Sequence, residues 1–398
     1  MAPEYFPVLK YHSNMTNQHV FINGFGISSA VLALALLQKY PNIKLTICES
    51  SSKDVFFNGA DLLKPSGISI IKELGLFPEV LAMGVKRNEL NIYYSGDELI
   101  HLDYSEFDDL GYFILIPYSQ LLKLVRKKVQ DSSRVSIFYN TTINKITFND
   151  EERVISAVHL SDESIIYPDL VIGADGALSY IRKQLGILGK RHIYDQIMYV
   201  SQFPLVDSVR DSNKLYVEPN GGVAYFYPIN NCESRIVLGF PKQEGLRLVN
   251  KCGNDALMHR LMSFVNNSCD ALNIMKHFDL QFKRIPVARM HVNTYHRWNA
   301  VLIGDALHNI NPITGQGMNL AIEDAGALAN ILAPFFANPS STIRSRCFQS
   351  FQSHRFPINH KMINYGDKLA TAYKSKALFL SCFNPHLQGS SRLKTMFS

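Results

Sequence analysis

The sequence predicts an α/β fold. A Rossmann-like dinucleotide-binding sheet is assembled from separated stretches of chain, a mixed β-sheet is inserted between them, and helices close the C-terminal part. Three observations predict this. The apolar strand Val20–Asn23 runs into Gly24-Phe25-Gly26-Ile27-Ser28-Ser29 and an Ala/Leu-rich helix. Two later apolar strands, Asp169–Ile172 and Ala300–Ile303, end in the glycine–acid clusters Gly173-Ala174-Asp175-Gly176 and Gly304-Asp305. From about Gly186 to Ile285, aromatic and β-branched runs of strand length replace the strand–helix alternation.

The first helix reaches about Tyr40, and Lys44–Cys48 is a second β-rich run ending at Glu49. Gly67–Leu74 has helical spacing. Leu90–Tyr94 and Glu98–Leu102 alternate around Ser95-Gly96-Asp97, a hairpin pattern. Tyr118–Val129 reads as a helix, and Val135–Tyr139, Thr142–Phe148 and Ile155–Leu160 as strands. A helix to Leu185 follows the Gly173 cluster. Leu215–Val217, Val223–Tyr227 and Arg235–Phe240 are strands of the insertion, and a long apolar helix begins at Met318 after Pro312 and Gly315-Gln316-Gly317. The expected division is an N-terminal extension (1–18), a discontinuous dinucleotide-binding domain (19–84, 117–185 and 286–334), a substrate domain (85–116 and 186–285) and a C-terminal helical segment (335–398).

The length, 398 residues, is roughly two to three times a usual domain. With 46% apolar and 19% charged residues, the composition excludes a disordered chain. The net charge of +6 is concentrated late: from Phe335 onward nine basic residues face Asp367 alone. That excess reads either as a solvated basic face or as a docking patch for an acidic partner or a nucleotide. No nucleic-acid partner is expected. No apolar run approaches the ~18–20 residues of a membrane span. Cys48, Cys232, Cys252, Cys269, Cys347 and Cys382 lack C-x-x-C spacing and read as reduced, mostly buried thiols, which fits a cytoplasmic protein. No H-E-x-x-H string or His/Cys cluster points to a metal.

The first glycine cluster has chemical content. Gly24 allows a tight turn, and Gly26 lets a pyrophosphate approach the backbone. The N–H groups and positive dipole end of the helix at Ile27 and Ser28 face those phosphates. The usual third glycine, which permits close helix–strand packing, is replaced by the small Ser29. Glu49, 25 residues after Gly24, stands where a carboxylate accepts hydrogen bonds from a ribose diol and repels a 2′-phosphate. An ordinary glycine turn with a surface glutamate is the plain alternative.

The second and third clusters are longer strings. Gly173 to Arg182, followed by Leu185-Gly186, and Gly304-Asp305-Ala306-Leu307-His308, followed by Pro312, Gly315-Gln316-Gly317, Asn319 and Asp324-Ala325, occur in a set order. In them the chain resembles the FAD-dependent aromatic hydroxylase family, with the p-hydroxybenzoate hydroxylase fold, over nearly its whole length from about residue 19. The resemblance implies bound FAD, a small aromatic substrate and O2, with one oxygen transferred from a flavin C4a-hydroperoxide. Electrons would come from NAD(P)H directly or through reduced flavin from a separate reductase. Gly304 and Asp305 would hold the ribityl chain. Gly315, Gln316 and Gly317 would let the backbone approach the ring. The amides at Met318 and Asn319 would face its N1–C2=O edge, where the helix dipole favours the charge of the reduced form. Pro312 would form an apolar wall beside the ring. Asp175 and Arg182 would link the FAD region to nicotinamide use, or form a structural cap and salt bridge. His308 fits packing better than proton transfer.

Further strings (Asn58 to Pro65, Gly111 to Leu115, Ala224 to Pro228, His308 through Asp324, Leu387 to Arg392) are similar to the branch of this family that holds the N-hydroxylases of the alkylquinolone N-oxide pathway. That similarity implies N-hydroxylation of a primary aromatic amine of the 2-aminobenzoylacetate type. A ring hydroxylase of a phenol, quinoline or quinone precursor is the near alternative, and a non-catalytic flavin-binding protein the distant one. Alternation places Tyr225 and Tyr227 on one strand face, as pocket wall or as sheet core. No residue is marked as a base for a phenol, and a pocket without a nearby carboxylate would favour the neutral amine. Two family arginines are missing, one near Asn58-Gly59 and one where Tyr118 stands. Each charge-assisted contact is worth about 1.5–3 kcal/mol, so flavin is expected to bind loosely.

Overall fold

The computed structural model describes residues 18–53, 61–106, 109–210, 213–251, 253–263, 265, 280–285 and 287–383. Residues 1–17 of the expected N-terminal extension, the Asn58-Gly59 site, the Leu387–Arg392 string, Cys252 and Cys269 lie outside them, and Gln18 belongs to the first strand.

In chain order the elements used below are β1 (Gln18–Asn23), α1 (Ile27–Lys39), β2 (Ile43–Cys48), β3 (Leu62–Leu63), α2 (Pro65–Glu73), β4 (Glu89–Tyr94), β5 (Asp97–Asp103), α3 (Tyr118–Gln130), β6 (Val135–Phe138), β7 (Leu170–Gly173) and α4 (Tyr180–Gln184). They continue with β8 (Gln196–Pro204), β9 (Lys214–Val217), β10 (Val223–Pro228), β11 (Glu233–Pro241), α5 (Lys242–Lys251), α6 (Gly253–Met262), β12 (Lys283–Ile285), β13 (His296–Arg297), β14 (Ala300–Leu302), α7 (Gly317–Ile331) and α8 (Ser341–Ala372).

One sheet has the order β13-β14-β7-β1-β2-β6 and is parallel except at the β13 edge. Its central strands are buried on both faces, which is why they read as continuous apolar runs. Helix α1 packs against α3 and α7. Eleven of its thirteen residues are buried, so its Ala/Leu content serves packing all round. The three glycine clusters all sit at the C-terminal ends of β1, β7 and β14, because parallel strands deliver their ends to one edge.

The second sheet has the order β12-β8-β11-β10-β9-β4-β5. Strands β4 and β5 close on a tight turn with Ser95 and Gly96 at positive φ, the geometry a two-residue hairpin needs. Alternation divides its faces. Ala224, Phe226, Ile236 and Leu238 belong to a core covered by α5 and α6. Tyr225, Tyr227, Leu215 and Val237 belong to another, shared with Leu62, Ile313 and Tyr365. The insertion is thus pressed against the glycine-cluster edge of the first sheet.

Three expectations change. The run Gly317–Ala337 is one helical stretch long and apolar enough to cross a membrane by length and composition. Its 18-residue apolar window is 61% buried inside the fold, against α1, α2 and α8. The late basic excess is not all solvated: Arg355 is buried and ion-paired with Glu323 and Asp324. Of the four described cysteines, all free, Cys48 and Cys347 are buried, whereas Cys232 is exposed. Among the described residues no cluster of metal-ligand type occurs.

Candidate active site

At the first turn Gly24 has φ +93°, and a Cβ there would lie 2.5 Å from the Ala174 carbonyl oxygen. This glycine is therefore required by the approach of the second cluster. A Cβ on Gly26 would instead point into open space at the start of α1. Ser29 is fully buried and its Oγ donates to the Gly26 carbonyl at 2.9 Å, so the serine fits where the third glycine was expected. Ser28 packs on Gly304, which has φ +58° and whose Cβ would stand 2.7 Å from Ser28 Oγ. Tyr118 stands at the start of α3; burial pushes its phenol up to about 12, and the nearby Ile27 backbone N–H opposes the rise.

Glu49 stands at the end of β2, but its oxygens already have donors. Oε2 accepts from Phe25 N–H at 2.7 Å, and Oε1 from Ser51 N–H at 2.8 Å. Arg126 approaches Oε2 at 3.6 Å, donates from Nε to the Phe25 carbonyl at 2.7 Å, and lies over the Phe25 ring at 4.9 Å. A buried arginine on α3 thus fixes the turn. It was missed because Tyr118–Gln130 carries four basic residues in a row of similar appearance, Lys123, Arg126, Lys127 and Lys128. Only helical phase, which puts Arg126 beside Leu122 and Val129 on the buried face, separates it from the others.

The second and third clusters are tied to one another. Asp175 accepts from Tyr180 N–H at 2.6 Å, Ile181 N–H at 3.2 Å, Asn23 Nδ2 at 2.9 Å and Ser179 Oγ at 2.5 Å, so it holds the first turn of α4, whose N-cap is Ser179. Burial raises its carboxyl and these hydrogen bonds oppose the rise. Arg182 forms no salt bridge with it. The guanidinium instead donates to the carbonyls of Ala306 at 2.8 Å and Ala177 at 2.7 Å. His308 Nε2 meets Asp324 at 2.7 Å in the core, a packing and anchoring role.

Pro312 opens a short 3₁₀ turn capped by Asn311, whose Oδ1 accepts from Ile313 N–H at 3.1 Å. Gly315 closes it in the left-handed region at φ +60°. Gln316 N–H donates to Thr314 Oγ1 at 3.2 Å, and α7 begins at Gly317. The Asn319 side chain is committed to β3: Oδ1 accepts from Lys64 N–H at 2.8 Å and Nδ2 donates to Leu62 O at 2.9 Å. What α7 offers a ligand is its first-turn backbone N–H groups, at Gly317, Met318 and Asn319, and its dipole.

These residues fit FAD. Open space over Gly26 suits a pyrophosphate. The accessible carboxylate of Asp305, which surrounding burial nonetheless pushes up, suits ribityl hydroxyls. The α7 start suits the ring's electron-rich edge. The FAD-binding domain family matches residues 18–364 of the chain. The chain belongs to this family of flavin-dependent monooxygenases.

Solved structures and curated relatives agree with that membership. The structure of Pseudomonas aeruginosa PqsL in complex with 2-aminobenzoylacetate is 37% identical, with a TM-score of 0.87, covering 92% of this chain and 100% of that one. A mutant of 2-methyl-3-hydroxypyridine-5-carboxylic acid oxygenase shares the fold at 17% identity and TM-score 0.76, over 96% and 98% of the two chains. The human ubiquinone biosynthesis monooxygenase COQ6 is 23% identical over 94% of this chain and 91% of its own.

In this monooxygenase the face of the second sheet that meets Ile313 is polar at its centre. Tyr225 and Tyr227 form a tilted ring pair, 4.4 Å between centroids. Tyr225 Oη donates to Asn213 Oδ1 at 2.5 Å and Tyr227 Oη to Asp61 Oδ2 at 3.1 Å. Asp61 is fully buried and paired with Arg235 at 2.5 Å. Its Oδ1 also accepts from Tyr118 N–H at 3.2 Å. Burial pushes the Asp61 carboxyl up to about 6, although Arg235 and the hydrogen bonds pull the other way. A carboxylate thus lies beside Tyr227, a residue the sequence offers as pocket wall or sheet core, and it is paired with an arginine. Neither was singled out from sequence. The available signal was an arginine inside the apolar run Ser234-Arg235-Ile236-Val237-Leu238, in phase with Val237.

Proposed function

We propose that this monooxygenase places oxygen on the nitrogen of a primary aromatic amine of the 2-aminobenzoylacetate type, a step toward quinoline N-oxides. The observation that carries the reading is the likeness to PqsL across nearly the full chain, with 2-aminobenzoylacetate in that protein's complex. When bound and reduced, FAD supplies two electrons and the activation of O2; one oxygen atom ends on nitrogen and the other leaves as water. The chain's own residues do the rest. Ile313 and the Tyr225–Tyr227 pair share one apolar cluster, and with the adjacent Pro312 they would wall the ring off from water. The Asp61–Arg235 pair presents no net charge that would stabilise an ammonium, so the amine keeps the lone pair that accepts oxygen. Chemically reduced FAD, air and 2-aminobenzoylacetate are expected to yield an arylhydroxylamine by mass spectrometry. The ubiquinone-pathway relatives favour ring hydroxylation as the second reading, and a phenolic product would establish it instead.

The electron supply is proposed to be reduced flavin delivered from outside. Supporting this, Tyr118 stands at the start of α3, where the family resemblance implies an arginine that helps hold FAD. Replacing Tyr118 with arginine restores a charge-assisted contact of about 1.5–3 kcal/mol, and FAD affinity should rise about 10–100-fold. Fluorescence titration with FAD reads this directly. Unchanged affinity would sink the explanation, and rapid flavin reduction by NADPH in stopped flow would sink the external supply.

A further inference from the structure

We propose a second ligand site at the start of β8: a cavity in which Arg191, Lys242 and Arg284 hold the head of a small carboxylate whose apolar body rests on an aliphatic floor. It goes beyond the reading given above and does not depend on which atom of the substrate is oxygenated.

The cavity has a volume of about 200 Å³ and is built where segments distant in sequence meet. Arg191 precedes β8, Lys242 is the first residue of α5, and Arg284 lies on β12. The strand register brings them together. β8 runs between β11 and β12. Gln196 is opposite Pro241, so Lys242 follows at the cavity, and Arg284 is opposite Tyr199. Tyr194 N–H donates to Val287 O at 3.1 Å and ties the chain before β8 to the chain after β12.

The charge there is unbalanced. Among the described residues, none of the three cations forms an ion pair and no acid lines the cavity. Neighbouring carboxylates are committed elsewhere. Asp367 is paired with Arg289 at 2.7 Å and accepts from Tyr194 Oη. Glu244, in the first turn of α5, is paired with Arg260 at 2.7 Å. Asp195 gives only its backbone carbonyl, to Lys242 N–H at 3.4 Å; its side chain is exposed and outside the lining. Helix stability does not account for Lys242, because the positive end of a helix dipole disfavours a cation. The floor is apolar, formed by Ile193, Ile197, Ile285, Val287 and Ala288. Ile193 is left 65% exposed, and an apolar ligand body would cover it. Arginine forks match a carboxylate, and the floor matches the hydrocarbon attached to it. Ile197 belongs to the core under α5 and α6, on the opposite face of the sheet from Tyr225 and Tyr227, so this cavity is separate from the substrate wall.

The test is calorimetric titration of the full chain at neutral pH and low salt, with excess FAD present so that the dinucleotide turn is not open to the probe. Three probes are used: benzoate, acetate, which has the head without the body, and benzamide, which has the body without the charge. Benzoate should bind at least tenfold more tightly than either of the others. Arg284→Gln and Lys242→Gln, both at exposed positions, should each weaken benzoate at least fivefold, and the double variant should abolish its binding. Lys190→Gln removes a neighbouring exposed cation that does not line the cavity, and it should change benzoate affinity less than twofold. Benzoate binding no tighter than acetate or benzamide overturns the proposal. So does benzoate binding that survives in the double variant, which would put the probe elsewhere on the protein. A loss in Lys190→Gln equal to that in Arg284→Gln overturns it as well, because it would mean diffuse surface charge rather than a site. Should one single variant fail to fold, the other carries the same reading. A ring-hydroxylated product would overturn the N-hydroxylation reading and leave these binding results standing.

Discussion

An Arg355→Met variant is expected to lose about 3–5 kcal/mol of stability, the cost of leaving a buried charge without its partner. Asp324 is fully buried on α7 and has four donors: Arg355 Nε at 2.8 Å, His308 Nε2 at 2.7 Å, Asn359 Nδ2 at 3.2 Å and Gly304 N–H at 3.2 Å. Arg355 is shared with Glu323 at 2.8 Å. Burial alone would raise the Asp324 carboxyl, but His308 and Arg355 outweigh it and hold the group far below the usual carboxylate range. The sign follows. With the folded value depressed, the stabilisation is present above the unfolded carboxylate value of about 3.9 and is lost as pH falls toward the folded one. Removing Arg355 should therefore lower stability at neutral pH and flatten its decline in acid. Urea unfolding at pH 7 and at pH 3.5 measures both. A loss below 1 kcal/mol at pH 7 would show that His308 and Asn359 suffice. Because Gly304 N–H hangs on the same carboxylate, flavin affinity should fall in the variant while it is still folded.

The glycine clusters were legible because each encodes backbone geometry, which local sequence specifies. Gly24, Gly304 and Gly315 all sit at positive φ, and a turn of that kind has few solutions. Strand ends in a parallel sheet then bring the clusters together without further information. The hairpin at Ser95-Gly96 and the buried α1 were legible for the same reason. The internal partners of charged groups were not. Glu49 reads as a ribose acceptor, but the Phe25 and Ser51 N–H groups and the Arg126 guanidinium around it do not show in the sequence. Arg182 reads as the partner of Asp175 until its guanidinium is found on the carbonyls of Ala306 and Ala177. Asp61 and Arg235 are 174 positions apart and meet only because the second sheet docks on the first. Side-chain pairing across domains depends on docking, and no local pattern records it. The same holds for Gly317–Ala337, whose composition would suit a membrane and whose burial is a property of its neighbours.

A pair of alanine substitutions separates the structural glycine of the first turn from the ligand-facing one. Gly24→Ala should destabilise the protein severely. The residue's φ of +93° lies in a region that costs an L-residue about 1–2 kcal/mol. The new Cβ would also press on the Ala174 carbonyl oxygen at 2.5 Å. That carbonyl cannot yield cheaply, since Ala174 N–H is bonded to Asn23 O at 2.9 Å and Gly24 N–H to Cys48 O at 2.7 Å, which fixes β1 between its neighbours. Overpacking of this kind adds about 1–3 kcal/mol. Gly26→Ala is different: φ there is −74°, which any residue adopts, and the added methyl meets nothing within 4 Å. Its stability should stay within about 0.5 kcal/mol of the parent, yet its affinity for FAD should fall at least tenfold, because the methyl occupies the space over the α1 start. Thermal unfolding of the flavin-free chain and FAD titration, run on both variants, read the two effects independently. A Gly26→Ala protein that takes up FAD as the parent does would move the pyrophosphate away from this helix start. A Gly24→Ala protein as stable as the parent would mean that β1 and β7 can part without cost.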